Sequence, residues 1–113
     1  MTDTLKVLGQ ASPAANTPTS LYTVPSLTSA VVARLTACNT GLTGATIRVW
    51  VQIAGAADSV KQYELYDHPL QPSGGGGNSV ECLTGEALAT TDVIRVQASS
   101  SNVAFKATGV EVT

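Results

Sequence analysis

The chain of 113 residues has a net charge of −2, and only 12% of its residues are charged, about half the usual share. That length is one domain, long enough to bury a core of its own. The 6 basic residues form no cluster, which excludes phosphate-driven nucleic-acid binding. No apolar run approaches the ~18 residues that a membrane helix needs.

Leu5-Lys6-Val7-Leu8 reads as a short first strand closed by Gly9. Residues 10–20 are rich in Ala, Pro, Asn, Thr and Ser. Pro13 and Pro18 cannot donate to a ladder, so this is an extended arm or loop. It either joins two strands of one domain or lies on a neighbouring subunit. Leu21-Tyr22-Thr23-Val24 is a second strand, stopped by Pro25. In the third, residues 30–38, Val31, Ala33, Leu35 and Ala37 share one face. Asn39 to Gly44 is a turn in which two glycines are free to take unusual dihedrals.

The fourth strand, residues 45–53, carries the strongest pattern. Ile47, Val49, Val51 and Ile53 alternate with Thr46, Arg48, Trp50 and Gln52. A period of two puts the first set on one face of a strand, and a helix would scatter it. Trp50 stands on the polar face. It is covered by a loop, by a further packed layer, or by another chain. The fifth strand, residues 60–67, places Tyr63 and Leu65 on one face and ends at His68-Pro69. Four glycines, residues 74–77, then predict a mobile tip because they lose the most backbone entropy on ordering. Residues 79–83 and 93–99 are the sixth and seventh strands. The last runs over residues 103–112, with a β-bulge expected at Gly109 to bring Phe105 and Val112 into phase.

No stretch keeps a helical period over ten residues. Seven to eight short strands divided by turn residues predict a single all-β antiparallel sandwich over residues 1–113, jelly-roll or immunoglobulin-like. Ile47, Val49, Val51, Ile94, Val96, Val103 and Phe105 are expected in one core.

The residues offer no catalytic set. His68 is the single histidine, and its neighbour Asp67 points away from it in an extended chain. Glu64, Asp67, Glu81 and Glu86 could pair as acid and base, but no spacing selects two of them. The glycine run lacks the Lys-Ser/Thr and the helix of a phosphate loop. Cys38 and Cys82 read as free thiols in a chain whose first residues lack a signal peptide, and one histidine cannot complete a zinc site. No cofactor, metal or membrane is expected. The remaining candidates are contact residues: Trp50, Arg48, Tyr22 and Tyr66 as an aromatic and basic patch, with Pro13 and Pro18 in the arm. The same patch would suit a glycan-binding module.

The run Leu8-Gly9-Gln10-Ala11-Ser12-Pro13-Ala14-Ala15-Asn16-Thr17, followed by Leu21-Tyr22-Thr23-Val24-Pro25, resembles the opening of small virion structural proteins of tailed bacteriophages. Cys38-Asn39, Tyr63-Glu64-Leu65-Tyr66-Asp67 and the segments from Asp92-Val93-Ile94 to Gly109-Val110-Glu111-Val112 are similar too. The loop Pro72-Ser73-Gly74-Gly75-Gly76-Gly77 departs from that pattern as an insertion. The resemblance implies a non-enzymatic all-β subunit, made in the bacterial cytoplasm and carried on the virion. Its role would be capsid cement or decoration, or else a tail, baseplate or fibre component. The implied partners are the major capsid protein or other virion proteins. A homotrimer is expected: closed rings are the usual association of identical chains, few charges protect the sheet edges from pairing with another chain, and a threefold ring would cover them with the 10–20 arm reaching across.

Overall fold

The computed structural model describes residues 2–74 and 76–113. Its strands are β1 (Asp3–Ala11), β2 (Thr19–Thr23), β3 (Ser29–Asn39), β4 (Ala45–Gln52), β5 (Tyr63–Leu70), β6 (Ser79–Leu88), β7 (Val93–Ala98) and β8 (Val103–Val112). Strand β1 pairs with β8, β2 with β7, β3 with β6 and β4 with β5, all antiparallel. That is one long ribbon folded back on itself between β4 and β5. Rolling it adds the β3–β8 and β4–β7 pairs. The first sheet then runs β1-β8-β3-β6 and the second β2-β7-β4-β5. This order is an eight-stranded jelly roll. In the immunoglobulin alternative the first two strands pair within one sheet, whereas here β1 and β2 lie in different sheets.

The core lies between the sheets. Ile47, Val49 and Val51 from β4, Ile94 and Val96 from β7, and Val103 and Phe105 from β8 are all buried in one cluster, as their period predicts. Ile53 does not join them. It leaves β4 for the short 3-10 turn Ile53–Gly55 and is 65% exposed.

Three sequence expectations shift for local physical reasons. Residues 60–62 form a second 3-10 turn rather than the start of a strand, closed by Ser59 and Gln62 in a capping box. His68 and Pro69 lie inside β5 rather than ending it; β5 is an edge strand, where a proline costs no ladder bond. The register offsets expected at Gly109 arise in its neighbours. Leu8 is the extra residue in β1 and Ala33 the extra residue in β3, both beside the unbroken Thr108-Gly109 of β8. Val31 and Ala33 therefore do not share the face of Leu35 and Ala37: Ala30 and Val32 are buried with those two, and Val31 and Ala33 face outward.

Residues 10–20 fold onto their own domain. Strand β1 continues to Ala11 and β2 begins at Thr19. Between them the Asn16 amide donates to the Ala98 carbonyl at 2.7 Å, and the Ser12 hydroxyl to the Ser101 carbonyl at 2.9 Å. Pro13 is buried and Pro18 exposed, so Pro13 is not free to meet another chain. Gly75, within the expected mobile tip, lies outside the described residues. Cys38 and Cys82 are free thiols. Cys38 sits opposite Ser79. Cys82 is three residues further along β6, roughly 10 Å away at the strand rise and beyond disulfide reach.

A polar contact ties the two sheets together. Tyr22 of β2 donates its hydroxyl to Glu111 Oε2 of β8 at 2.5 Å, and Lys6 Nζ of β1 donates to Glu111 Oε1 at 3.2 Å. The Tyr22 hydroxyl, and then Lys6, hold the Glu111 carboxyl below its ordinary value of 4.5. Stability carried by the ionised form is therefore present above that ordinary value and lost as pH falls through the lowered one. Tyr22→Phe is expected to cost about 1–2 kcal/mol at pH 7. It should also narrow the gap to wild type below about pH 4. Urea unfolding at pH 7 and pH 3 checks this; a deficit of the same size at both would break the link to Glu111.

Candidate functional site

The outer face of the second sheet gathers three of the expected contact residues, Arg48, Trp50 and Tyr66, with Tyr63 between the two aromatic ones. Arg48 and Trp50 project from β4 away from the core, opposite Gln97 and Arg95 of β7. Strand β5 completes the face only because it is bulged. Val49 lies opposite Leu65 and Trp50 opposite Tyr63, so Glu64 is an extra residue. Tyr63 thereby reaches the outer face while Leu65 packs on the core, where simple alternation put both on one side. A second bulge lies between Leu65 and His68, and there Asp67 takes a left-handed φ of 53°.

These bulges line up a row of side chains. Trp50 and Tyr63 have ring centroids 5.2 Å apart, and Tyr63 meets Tyr66 edge-on at 4.9 Å. The Arg48 guanidinium lies 4.2 Å from the centre of the Tyr66 ring. Arg48 also donates to Asp67 through Nε at 2.7 Å and Nη2 at 3.3 Å. This two-bonded pair raises the Arg48 pKa and holds the Asp67 carboxyl below its ordinary range.

Trp50 closes one end of the row and is not available at the surface. It is 1% exposed, beneath the β4–β5 connection, and its Nε1–H donates to Asp58 Oδ1 at 2.8 Å. Gln52 Nε2 donates to the same oxygen at 2.6 Å. Of the alternatives for Trp50, cover by a loop of its own chain is the one realised. Tyr22 belongs to the other side of this sheet: its partner Ile94 points into the core, and Tyr22 is buried there. The expected patch therefore divides. Arg48 and Tyr66 remain together at the surface, Tyr66 being 59% exposed. Trp50 and Tyr22 are structural, and a sugar could not stack on Trp50.

Beside the Arg48–Asp67 pair lies a polar cavity of about 310 Å³, bordered by Asn16, Thr46, Gln97 and Ser99. Asn16 also has a left-handed φ, 56°, which an Asn tolerates better than most residues. Arg95 flanks the face with Nη1 donating to Ser20 Oγ at 2.8 Å, while its buried Nε has no partner among the described residues. Such a lining offers hydrogen bonds in both directions to a polar partner. His68 is half-buried in β5. Among the described residues no three His, Cys, Asp or Glu side chains converge as metal ligands.

Sequence reasoning passed over Asp58, Asp92 and Asn39. Asp92 is buried and accepts from the Ala54 and Ala89 amides, both at 2.9 Å, joining the β4–β5 connection to the β6–β7 turn. Asn39 is buried and bonds Thr43, Gln71 and Gly41. An Asp or Asn in a turn was the only signal for any of them.

Fold and site together define an eight-stranded jelly-roll sandwich with a polar, partly aromatic outer face. No protein-family model, curated protein or solved structure matches the chain.

Proposed function

We propose that this chain is a non-enzymatic structural subunit of a tailed-bacteriophage virion, a cement or decoration protein on the outer capsid. The resemblance described above supplies the phage context. The observation that carries the assembly role is an apolar strip on the outer face of the first sheet. Leu5 of β1 and Val31 of β3 both lie opposite Val110 of β8. Leu5 is 83% exposed, Val31 41%, and Val7 beside them 45%. An apolar strip crossing three strands at the surface is the usual mark of a protein contact.

The sequence left the sheet edges open to pairing with another chain, but at β5 and β1 strand addition is a poorer route to assembly. Strand β5 carries two bulges and Pro69, and β1 a bulge at Leu8. Both devices keep a foreign strand from adding. The face of the first sheet is therefore assigned to virion partners, in a homotrimer closed about a threefold axis. Mass spectrometry of purified particles of the encoding phage tests the role. A capsid subunit is expected at a copy number on the order of hundreds, following the symmetry of the shell. Absence from the particles would end the proposal, and a copy number of about six or twelve would move the chain to the tail.

A further inference from the structure

The polar cavity beside Arg48 and Asp67 lies on the outer face of the second sheet, on the opposite side of the sandwich from the apolar strip. Four stretches distant in sequence meet in its lining: Asn16 of the β1–β2 connection, Thr46 and Arg48 of β4, Asp67 of β5, and residues 97–99 at the end of β7. Hydrogen bonds fix these walls to one another. The Asn16 amide donates to the Ala98 carbonyl at 2.7 Å, the Ser99 amide to the Thr46 carbonyl at 2.9 Å, and the Thr46 amide to Ser99 Oγ at 2.9 Å. The cup therefore exists before any guest arrives, and a preformed site loses little to ordering when it binds. Its volume, about 310 Å³, is at the lower end of small-molecule sites.

Two further features of the lining point to a ligand. Among the described residues five other than glycine have a left-handed φ, and two of the five, Asn16 at 56° and Asp67 at 53°, border this one cavity. Backbone strain of that kind gathers at ligand clamps. The second feature is unused hydrogen-bonding capacity. Asn16 and Gln97 line the cavity with side-chain amides that make no hydrogen bond among the described residues, although Gln97 is half-buried. Arg48, by contrast, is pinned by two bonds to Asp67 and by the Tyr66 ring. Guanidinium and carboxylate balance each other, and Arg95 of β7 turns its Nη1 to Ser20, outside the lining. The cavity thus has no net charge to draw an ion. Two amides, the hydroxyls of Thr46 and Ser99 and the remaining lone pairs of Asp67 can each meet a hydroxyl group. An uncharged molecule rich in adjacent hydroxyls matches that set.

We infer that this cavity binds a single uncharged sugar unit, its hydroxyls on the amides of Asn16 and Gln97 and on the Asp67 carboxylate. Stacking on Trp50 plays no part. The inference does not rest on the virion reading: it concerns the face opposite the apolar strip and is tested on the free chain.

The test is amide NMR of the intact chain, titrated separately with the methyl glycosides of glucose, galactose, mannose and N-acetylglucosamine. At least one is expected to move the backbone amides of Thr46, Gln97 and Ser99 and the side-chain amide of Asn16, with saturation approached by about 100 mM. Asn16→Gly keeps the left-handed backbone and removes one amide; Gln97→Ala removes the other. Each should weaken that glycoside about fivefold, the rest of the spectrum staying unchanged as a check that the fold persists. No shift with any of the four would overturn the inference. So would indifference to both substitutions. A larger response of the same amides to sodium acetate or inorganic phosphate would also overturn it, by making the cavity an anion site on Arg48.

Discussion

Phe105→Ala is expected to remove about 3–5 kcal/mol of folding stability. Phe105 is 1% exposed on the central strand β8. Its ladder partners on either side are Ala11 of β1 and Ala37 of β3. The ring fills the space that those two small side chains leave. When it is truncated, neither neighbour can reach into the gap, so the cavity stays open. For a domain of ordinary stability, about 5–15 kcal/mol, such a loss is about a fifth of the total or more. Urea unfolding of the two chains measures it. A change below about half a kcal/mol would place Phe105 outside the core, since a buried ring cannot be lost that cheaply.

The second large effect is at Gly109, where backbone rather than side chain leaves no room. A Cβ there would lie 2.1 Å from the Val31 carbonyl oxygen and 3.1 Å from the Ala33 amide nitrogen. Ala33 is the bulge residue of β3, and Val31 precedes the residue that pairs with Gly109. Gly109→Ala must push two central strands apart, at a cost of about 1–3 kcal/mol or more. Gly44 is the control: its added Cβ would meet only the Leu70 carbonyl oxygen, at 3.5 Å. Gly44→Ala is expected to stay within about 0.5 kcal/mol of wild type. Similar denaturation midpoints for the two variants would show that the β3 backbone does not crowd Gly109.

That contrast also marks how far the sequence could be read. Strict alternation in residues 45–52 and 93–98 disclosed two central strands and their buried faces, because a half-buried sheet imposes a period of two on the residues themselves. Gly109 was legible as an irregularity but not as to which strand carries the extra residue, since a bulge is a property of a pair. The same holds in β5. Nothing local in Tyr63-Glu64-Leu65 says that Glu64 is an extra residue, yet that bulge moves Tyr63 beside Trp50. Trp50 was visibly out of place on a polar face. Its cover came from Asp58, eight residues on, through a turn whose path depends on tertiary packing. The choice of jelly roll over immunoglobulin order rested on pairings such as β1 with β8, which span nearly the whole chain.

The most direct test of the proposed role is a reconstruction of the intact virion at a resolution that traces side chains. The jelly roll should be found on the outer shell in threefold groups, with Leu5, Val7, Val31 and Val110 covered by a neighbouring copy or by the capsid protein. An isolated copy with that face of the first sheet open to solvent, or a particle lacking the chain, would contradict it.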